Sequence, residues 1–283
     1  MTTSGFGRPT LGNVDRNEKG ERDGKGVMIF ADGSRYDGYW SSGKINGKGR
    51  LIHEDGEMYE GDWVDSKANG QGAYLHKDGS VYEGEWKDDN QHGRGVEKWS
   101  DGSRYEGDYI QGKKQGKGWF RWYDGSEYRG EFLDNNINGR GLYKWADGRQ
   151  YDGDWANNKM HGFGVFTFPN GKKYTGQYVN DKKEGKGTLE WYTQLKASPD
   201  RPDGRKYEGD WRNGKQHGKG VTTTAHGEIQ EGTWENGKRV GGESKKSPRA
   251  PAGAKRPASR AGVKSRPASR GPSTTKRPTK PAK

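Results

Sequence analysis

Bulky and polar positions along this chain follow a unit that repeats every 23 residues. In the copy YEGEWKDDNQHGRGVEKWSDGSR, residues 82–104, Tyr82, Gly84 and Trp86 lie two apart. In a strand they share one face, while Glu83 and Glu85 take the other. A polar turn follows, then a second strand that opens Gly93-x-Gly95, runs through Glu97 to Trp99 and closes on an Asp101-Gly102 turn. The Tyr position recurs at Tyr36, Tyr59, Tyr82, Tyr105, Tyr128, Tyr151 and Tyr174, and resumes at Tyr207 after a ten-residue insertion. A fixed period of this size predicts a tandem array of one unit, here a hairpin of two short strands.

Each Tyr is followed two residues on by Gly38, Gly61, Gly84, Gly107, Gly130, Gly153, Gly176 or Gly209, and in five copies then by Trp40, Trp63, Trp86, Trp155 or Trp211. The second strand carries the bulky pairs Met28/Phe30, Leu51/His53, Tyr74/His76, Glu97/Trp99, Phe120/Trp122, Tyr143/Trp145, Phe166/Phe168 and Leu189/Trp191. A mostly aromatic face set against a mostly charged one is the pattern of a sheet wet on one side. Glycine inside a strand costs stability, so the glycine after each Tyr reads as space for a ring to lie over the neighbouring backbone. The Asp-Gly glycines (Gly33, Gly56, Gly79, Gly102, Gly125, Gly148) read as turn formers.

The Tyr-x-Gly-x-aromatic, Gly-x-Gly and Asp-Gly elements in step at this period resemble the MORN (membrane occupation and recognition nexus) repeat over residues 24–242. The resemblance implies an elongated single-layer antiparallel sheet of successive hairpins, so the expected fold class is all-β. The stretch RNEKGERDGKG, Arg16 to Gly26, is similar to the lead-in of the radial-spoke-head MORN proteins of motile cilia, which implies an axonemal setting.

The expected organisation is a loosely attached lead over 1–20, an array of about nine units over 21–242, and a disordered basic tail over 243–283. The insertion around Tyr192–Pro202 reads as a tolerated hairpin tip or a recognition loop, with Pro199 and Pro202 breaking any strand. The last unit decays: its second strand is Val221–Gly227, Gln230 replaces the Tyr and only Trp234 keeps its place, which suits a polar cap.

Composition supports an extended array over a globule, since 26% of the chain is hydrophobic, 32% is charged and 49 residues are Gly. The absence of Cys excludes disulfides and thiolate metal sites. No apolar stretch approaches the roughly 18 residues of a membrane-spanning helix. The net charge of +12 is confined to the tail: residues 243–283 hold 13 Lys/Arg and one acidic residue, and the remainder is neutral.

No catalytic, cofactor or metal site is expected, because nearly every polar side chain sits in a repeated column. His92, His161 and His217 precede Gly-x-Gly where other units have Asp23, Asn46, Asn69 or Gln115, and are read as turn residues. The carboxylates Glu60, Glu83, Glu106, Asp62, Glu85 and Asp108 are expected to pair across strands with Lys and Arg. Gly-x-Gly here precedes a strand, whereas a nucleotide fingerprint needs a helix.

The tail cations Lys245, Lys246, Arg249, Lys255, Arg256, Arg260, Lys264, Arg266, Arg270, Lys276 and Arg277 form a candidate polyanion-binding segment. Acidic tubulin tails suit its extended, Pro-spaced charge best. Membrane lipids suit it less with one branched aliphatic, Val263, and nucleic acid least with no aromatic to stack bases. Ser259 and Ser269 each follow an Arg by three residues and are candidate phosphosites. A one-sided aromatic face would leave a large apolar patch, so association as a homodimer or with another scaffold protein is expected. The reading is a non-enzymatic scaffold of the cytoplasm and cytoskeleton with axonemal or cytoskeletal protein partners, the ciliary or flagellar axoneme favoured. The alternative is a peripheral membrane or phosphoinositide tether.

Overall fold

The computed structural model describes residues 11–192, 202–242 and 244–245. Among these the fold is all-β, as expected: 21 strands in one antiparallel sheet. Successive strands pair along the chain, so Val81–Lys87 pairs with Asn90–Lys98, and that with Arg104–Ile110.

Two turns alternate. The first links the two strands of a unit and takes two residues with positive φ, 48° at Asp88 and 65° at Asp89. That is the turn whose twist matches the strands it joins, and Asn, Asp, Ser or Gly, which tolerate the left-handed region, fill it in all units but one, where Gln111 takes the first place. The second is the Asp-Gly turn, where Gly102 has φ 89° and the Ser103 N–H donates to Asp101 Oδ1 at 2.7 Å.

A bulge follows each first turn. Between the strands Val81–Lys87 and Asn90–Lys98 the register passes from Gly84↔Gly95 to Glu85↔His92, so Gly93 and Arg94 have no cross-strand partner there. Gly93 takes φ 58°, and the freed Arg94 N–H donates to Glu85 Oε1 at 2.9 Å. The same cap joins Gln71 N–H to Asp62 at 3.0 Å and Lys117 N–H to Asp108 at 3.2 Å. These carboxylates also pair with cations as expected, Lys48 with Asp62 at 2.7 Å and Arg94 with Asp108 at 3.1 Å. The Lys48 hydrogen bond leads in holding the Asp62 carboxyl below its usual range.

Three boundaries differ from expectation. Residues 11–16 are a strand, not a loose lead: Leu11–Arg16 pairs with Arg22–Ile29. Gly12 stands opposite Met28 where other units place a Tyr, and Val14 opposite Gly26 where they place a Gly. The strand therefore lacks the aromatic signature, yet Val14 packs against the core. Strands also flank the insertion, with Tyr192 opposite Pro202. Pro202 is the first residue of its strand, a place where the missing N–H is tolerated, so it does not break it. Pro199 lies outside the described residues. At the other end Ser244–Lys245 pairs with Ile229–Glu235, so the array runs past 242. The histidine column also moves: His92 is laddered opposite Glu85 instead of sitting in a turn, because the bulge draws its position back into the strand pair.

The core is a single row of rings on one face. Tyr36, Tyr59, Tyr82, Tyr105, Tyr128, Tyr151, Tyr174 and Tyr207 are completely buried. Each ring folds over the paired glycines of its own hairpin, so a Cβ at Gly84 would meet Tyr82 Oη at 2.7 Å and Gly95 Cα at 2.6 Å. The packing role read for these glycines is what the structure contains. Each hydroxyl donates to the carbonyl three residues on, Tyr82 to Glu85 at 2.9 Å and Tyr207 to Asp210 at 2.9 Å. Desolvation then raises the Tyr207 hydroxyl to about 12 and the others further.

Candidate functional site

Each tyrosine touches two rings edge-on, one from its own unit and one from the next. Tyr59 meets Trp63 at 4.9 Å and Trp86 at 5.2 Å, and Tyr128 meets Phe132 at 5.3 Å and Trp155 at 5.7 Å. This edge-to-face geometry places positive ring edges on negative ring faces. The indoles are fixed in turn, Trp63 Nε1 donating to Gly49 O at 3.0 Å and Trp86 Nε1 to Gly72 O at 3.1 Å. The predicted columns Tyr36/Gly38/Trp40, Tyr59/Gly61/Trp63, Tyr82/Gly84/Trp86, Tyr151/Gly153/Trp155 and Tyr207/Gly209/Trp211 thus form one structural spine. Tyr105/Gly107, Tyr128/Gly130 and Tyr174/Gly176 continue it with Tyr109, Phe132 and Tyr178 as the second ring. Because the spine buries itself, the exposed apolar face is narrower than the sequence suggested.

What stays open is a second row from the second strands. Trp99 stacks on Phe120 at 5.2 Å, Phe120 meets Trp122 at 4.4 Å, Trp122 meets Tyr143 at 5.1 Å and Tyr143 meets Trp145 at 4.5 Å. The row continues to Phe166 and Phe168. Trp99, Phe120, Trp122, Tyr143, Trp145 and Phe168 are half-buried, and Tyr123 beside them is 75% exposed. In the earlier units His53 and His76 replace rings in this row, so the aromatic surface is concentrated between Trp99 and Trp191. Cations border it: Lys114 lies 4.8 Å over Trp99, Arg149 lies 5.3 Å over Trp145, and Lys172 lies 5.5 Å over Trp191.

One polar group interrupts the second-strand row, beside the spine, and was not singled out by sequence reading. Glu97, in the column of Tyr74 and Phe120, pairs with Lys114 at 2.7 Å and accepts from the Tyr109 hydroxyl at 2.9 Å. Lys114 stands in the column of Ile45, Ala68 and Ile137. The signal was present in the sequence as two simultaneous departures from apolar columns, 17 residues apart.

Among the described residues no group of three or more His, Asp or Glu side chains is placed to hold a metal ion. Of the tail candidates Lys245 is in the strand Ser244–Lys245, its backbone opposite Ile229. Lys246, Arg249, Lys255, Arg256, Arg260, Lys264, Arg266, Arg270, Lys276, Arg277, Ser259 and Ser269 lie outside the described residues.

Comparison with solved structures gives distant likenesses. The TCP10 domain of Danio rerio CPAP, in complex with a peptide of Danio rerio STIL, is 12% identical with a TM-score of 0.45, covering 84% of this chain and 100% of that one. The SAS-4 TCP domain of Drosophila melanogaster, in complex with a proline-rich motif of Ana2, is 13% identical with a TM-score of 0.35, covering 63% of this chain and 94% of that one. No curated protein sequence matches the chain. The MORN repeat family model matches ten segments, 18–35, 36–58, 59–81, 82–104, 105–127, 128–148, 151–173, 174–195, 207–227 and 231–241. Several of these segments begin on the buried tyrosine of the spine, and together they cover most of the chain: it belongs to the MORN-repeat family.

Proposed function

We propose that this chain is a non-enzymatic scaffold that binds protein partners along the half-buried ring row from Trp99 to Trp191. The row itself carries the reading. Half-buried flat rings offer a partner apolar area, and Lys172 over Trp191 adds a site for a carboxylate or carbonyl. The setting we favour is a microtubule-based one, the ciliary or flagellar axoneme, as a radial-spoke-head-like component. Two sequence features support it: the basic tail, suited to acidic tubulin tails, and the Arg16–Gly26 lead-in, which the fold uses as the hairpin joining the first two strands.

A tagged full chain, expressed with a Trp122→Ala/Trp145→Ala variant, tests the proposal. The wild type should concentrate on axonemal or other microtubule structures and co-purify with specific proteins. The variant should keep its circular dichroism and lose those proteins. Enrichment at the plasma membrane that survives the substitutions would favour the lipid-tether alternative.

A further inference from the structure

The face opposite the rings carries its own columns. The residue after each spine tyrosine is acidic in most units: Asp37, Glu60, Glu83, Glu106, Asp152, Glu208. The residue after the second glycine is Val27, Ala73, Val96, Leu142, Val165 or Val221 in most others. Two paired positions break both columns at once: one sets Thr175 opposite Thr188, and the other brings together a large ring and a cation. Trp119 replaces the small apolar residue, Arg129 replaces the acid, and the two stand directly opposite each other on paired strands.

The two side chains pack on each other, the Arg129 guanidinium 5.2 Å from the Trp119 ring centroid, and leave the Arg129 charge without an acid among the described residues. Arg104 lies 5.8 Å from the same ring and is held by Glu106 at 2.8 Å. Trp119 Nε1 and Arg104 Nε are buried without acceptors, a costly state for a donor. A recess of about 310 Å³ opens here, with Lys117 exposed at its edge.

We infer that this recess binds a partner segment in which one acidic residue is flanked by basic ones. Arg129 and Lys117 supply the cations for a carboxylate, and the indole supplies a flat surface for the backbone around it. Counted from Arg129, the acids Glu106 and Asp152 stand two strands away on either side, roughly 10 Å at the usual strand spacing, Glu106 lining the recess opposite Trp119. They repel a uniformly acidic ligand and attract a basic residue on each flank. In a polyproline II segment, residues three apart point the same way and lie about 9 Å apart, so a basic-x-x-acidic-x-x-basic segment matches the three charges in order. The site lies across the sheet from the ring row and stands or falls independently of it.

The test uses full-length chain labelled with ¹⁵N in tryptophan, the Trp119 indole signal being identified by its loss in Trp119→Val. A Pro-rich peptide with Lys-x-x-Glu-x-x-Lys should shift that signal saturably. Arg129→Glu, which restores the residue of the other units, should weaken the response at least tenfold with an unchanged melting temperature. Should that variant unfold, Arg129→Thr, as at Thr175, replaces it. The charge-reversed Glu-x-x-Lys-x-x-Glu peptide controls for binding by the basic tail. A Trp119 signal that does not move, that moves equally in the Arg129 variant, or that responds equally to the reversed peptide overturns the inference. So does an equal response to inorganic phosphate, which would make the recess a simple anion site.

Discussion

Tyr82 lies flat against Gly84 and Gly95, and no side chain fits at either glycine. A Cβ on Gly84 would also meet Arg94 O at 2.6 Å, so backbone as well as ring would have to move. Gly84→Ala should therefore destabilise the array by about 2–3 kcal/mol, in the range of core overpacking. The Gly79→Ala change, in an Asp-Gly turn with φ 84° and open space around it, should cost only the backbone strain, about 1 kcal/mol. Urea unfolding of the two variants reads the difference.

The two glycine roles were legible in the sequence because they follow from steric size at fixed positions. The bulge was not. Nothing in Gly93-Arg94-Gly95 says that the first glycine turns left-handed, and it takes the ladder shift at His92 to see that Glu85 serves an amide. The open aromatic row was visible as a column, but its separation from the spine was hidden. Burial of Tyr82 beneath Trp86 and Tyr109 depends on ring orientation, which spacing does not encode. The strand at Leu11–Arg16 was missed because Gly12 and Val14 hold the Tyr and Gly positions.

Alkaline pH should unfold the array. Unfolded tyrosine titrates near 10, while Tyr207 is raised to about 12 by burial and Tyr59 and Tyr82 are raised further. The folded state therefore holds protons that the unfolded state releases. Its stability is intact below about pH 10 and falls as pH rises beyond. The urea midpoint should drop between about pH 10 and 12, with a smaller drop in Tyr207→Phe, which also loses the bond to Asp210 at a cost of about 1 kcal/mol.

Lys183 should oppose this trend locally. It sits 4.8 Å from the Tyr174 ring and 5.1 Å from Trp211, in the column that holds Met160. Desolvation, aided by Lys172, lowers its ammonium to about 8. Below that value the folded state carries the full penalty, and stability from this group rises between about pH 8 and 10 as the proton leaves. Its contacts with the rings offset part of the penalty. Lys183→Met should stabilise by about 1 kcal/mol at pH 7, and the gain should fade near pH 10.

The Glu97–Lys114 pair should behave as a unit, with side-chain exposures of only 13% and 14%. Lys114→Met leaves a carboxylate uncompensated and should cost about 3 kcal/mol. Glu97→Phe with Lys114→Ile, which restores the residues of other units, should recover wild-type stability or exceed it. A double-mutant cycle by chemical denaturation measures the coupling.

Hydrogen exchange on the full chain carrying Tyr128→Ala tests most directly whether the spine joins each unit to its neighbours. The substitution removes the ring between Phe132 and Trp155. Exchange should accelerate from the strand Arg104–Ile110 to the strand Gln150–Ala156 and stay at the wild-type rate in Arg35–Ser41. Uniform acceleration over the whole sheet would contradict the ring-by-ring account.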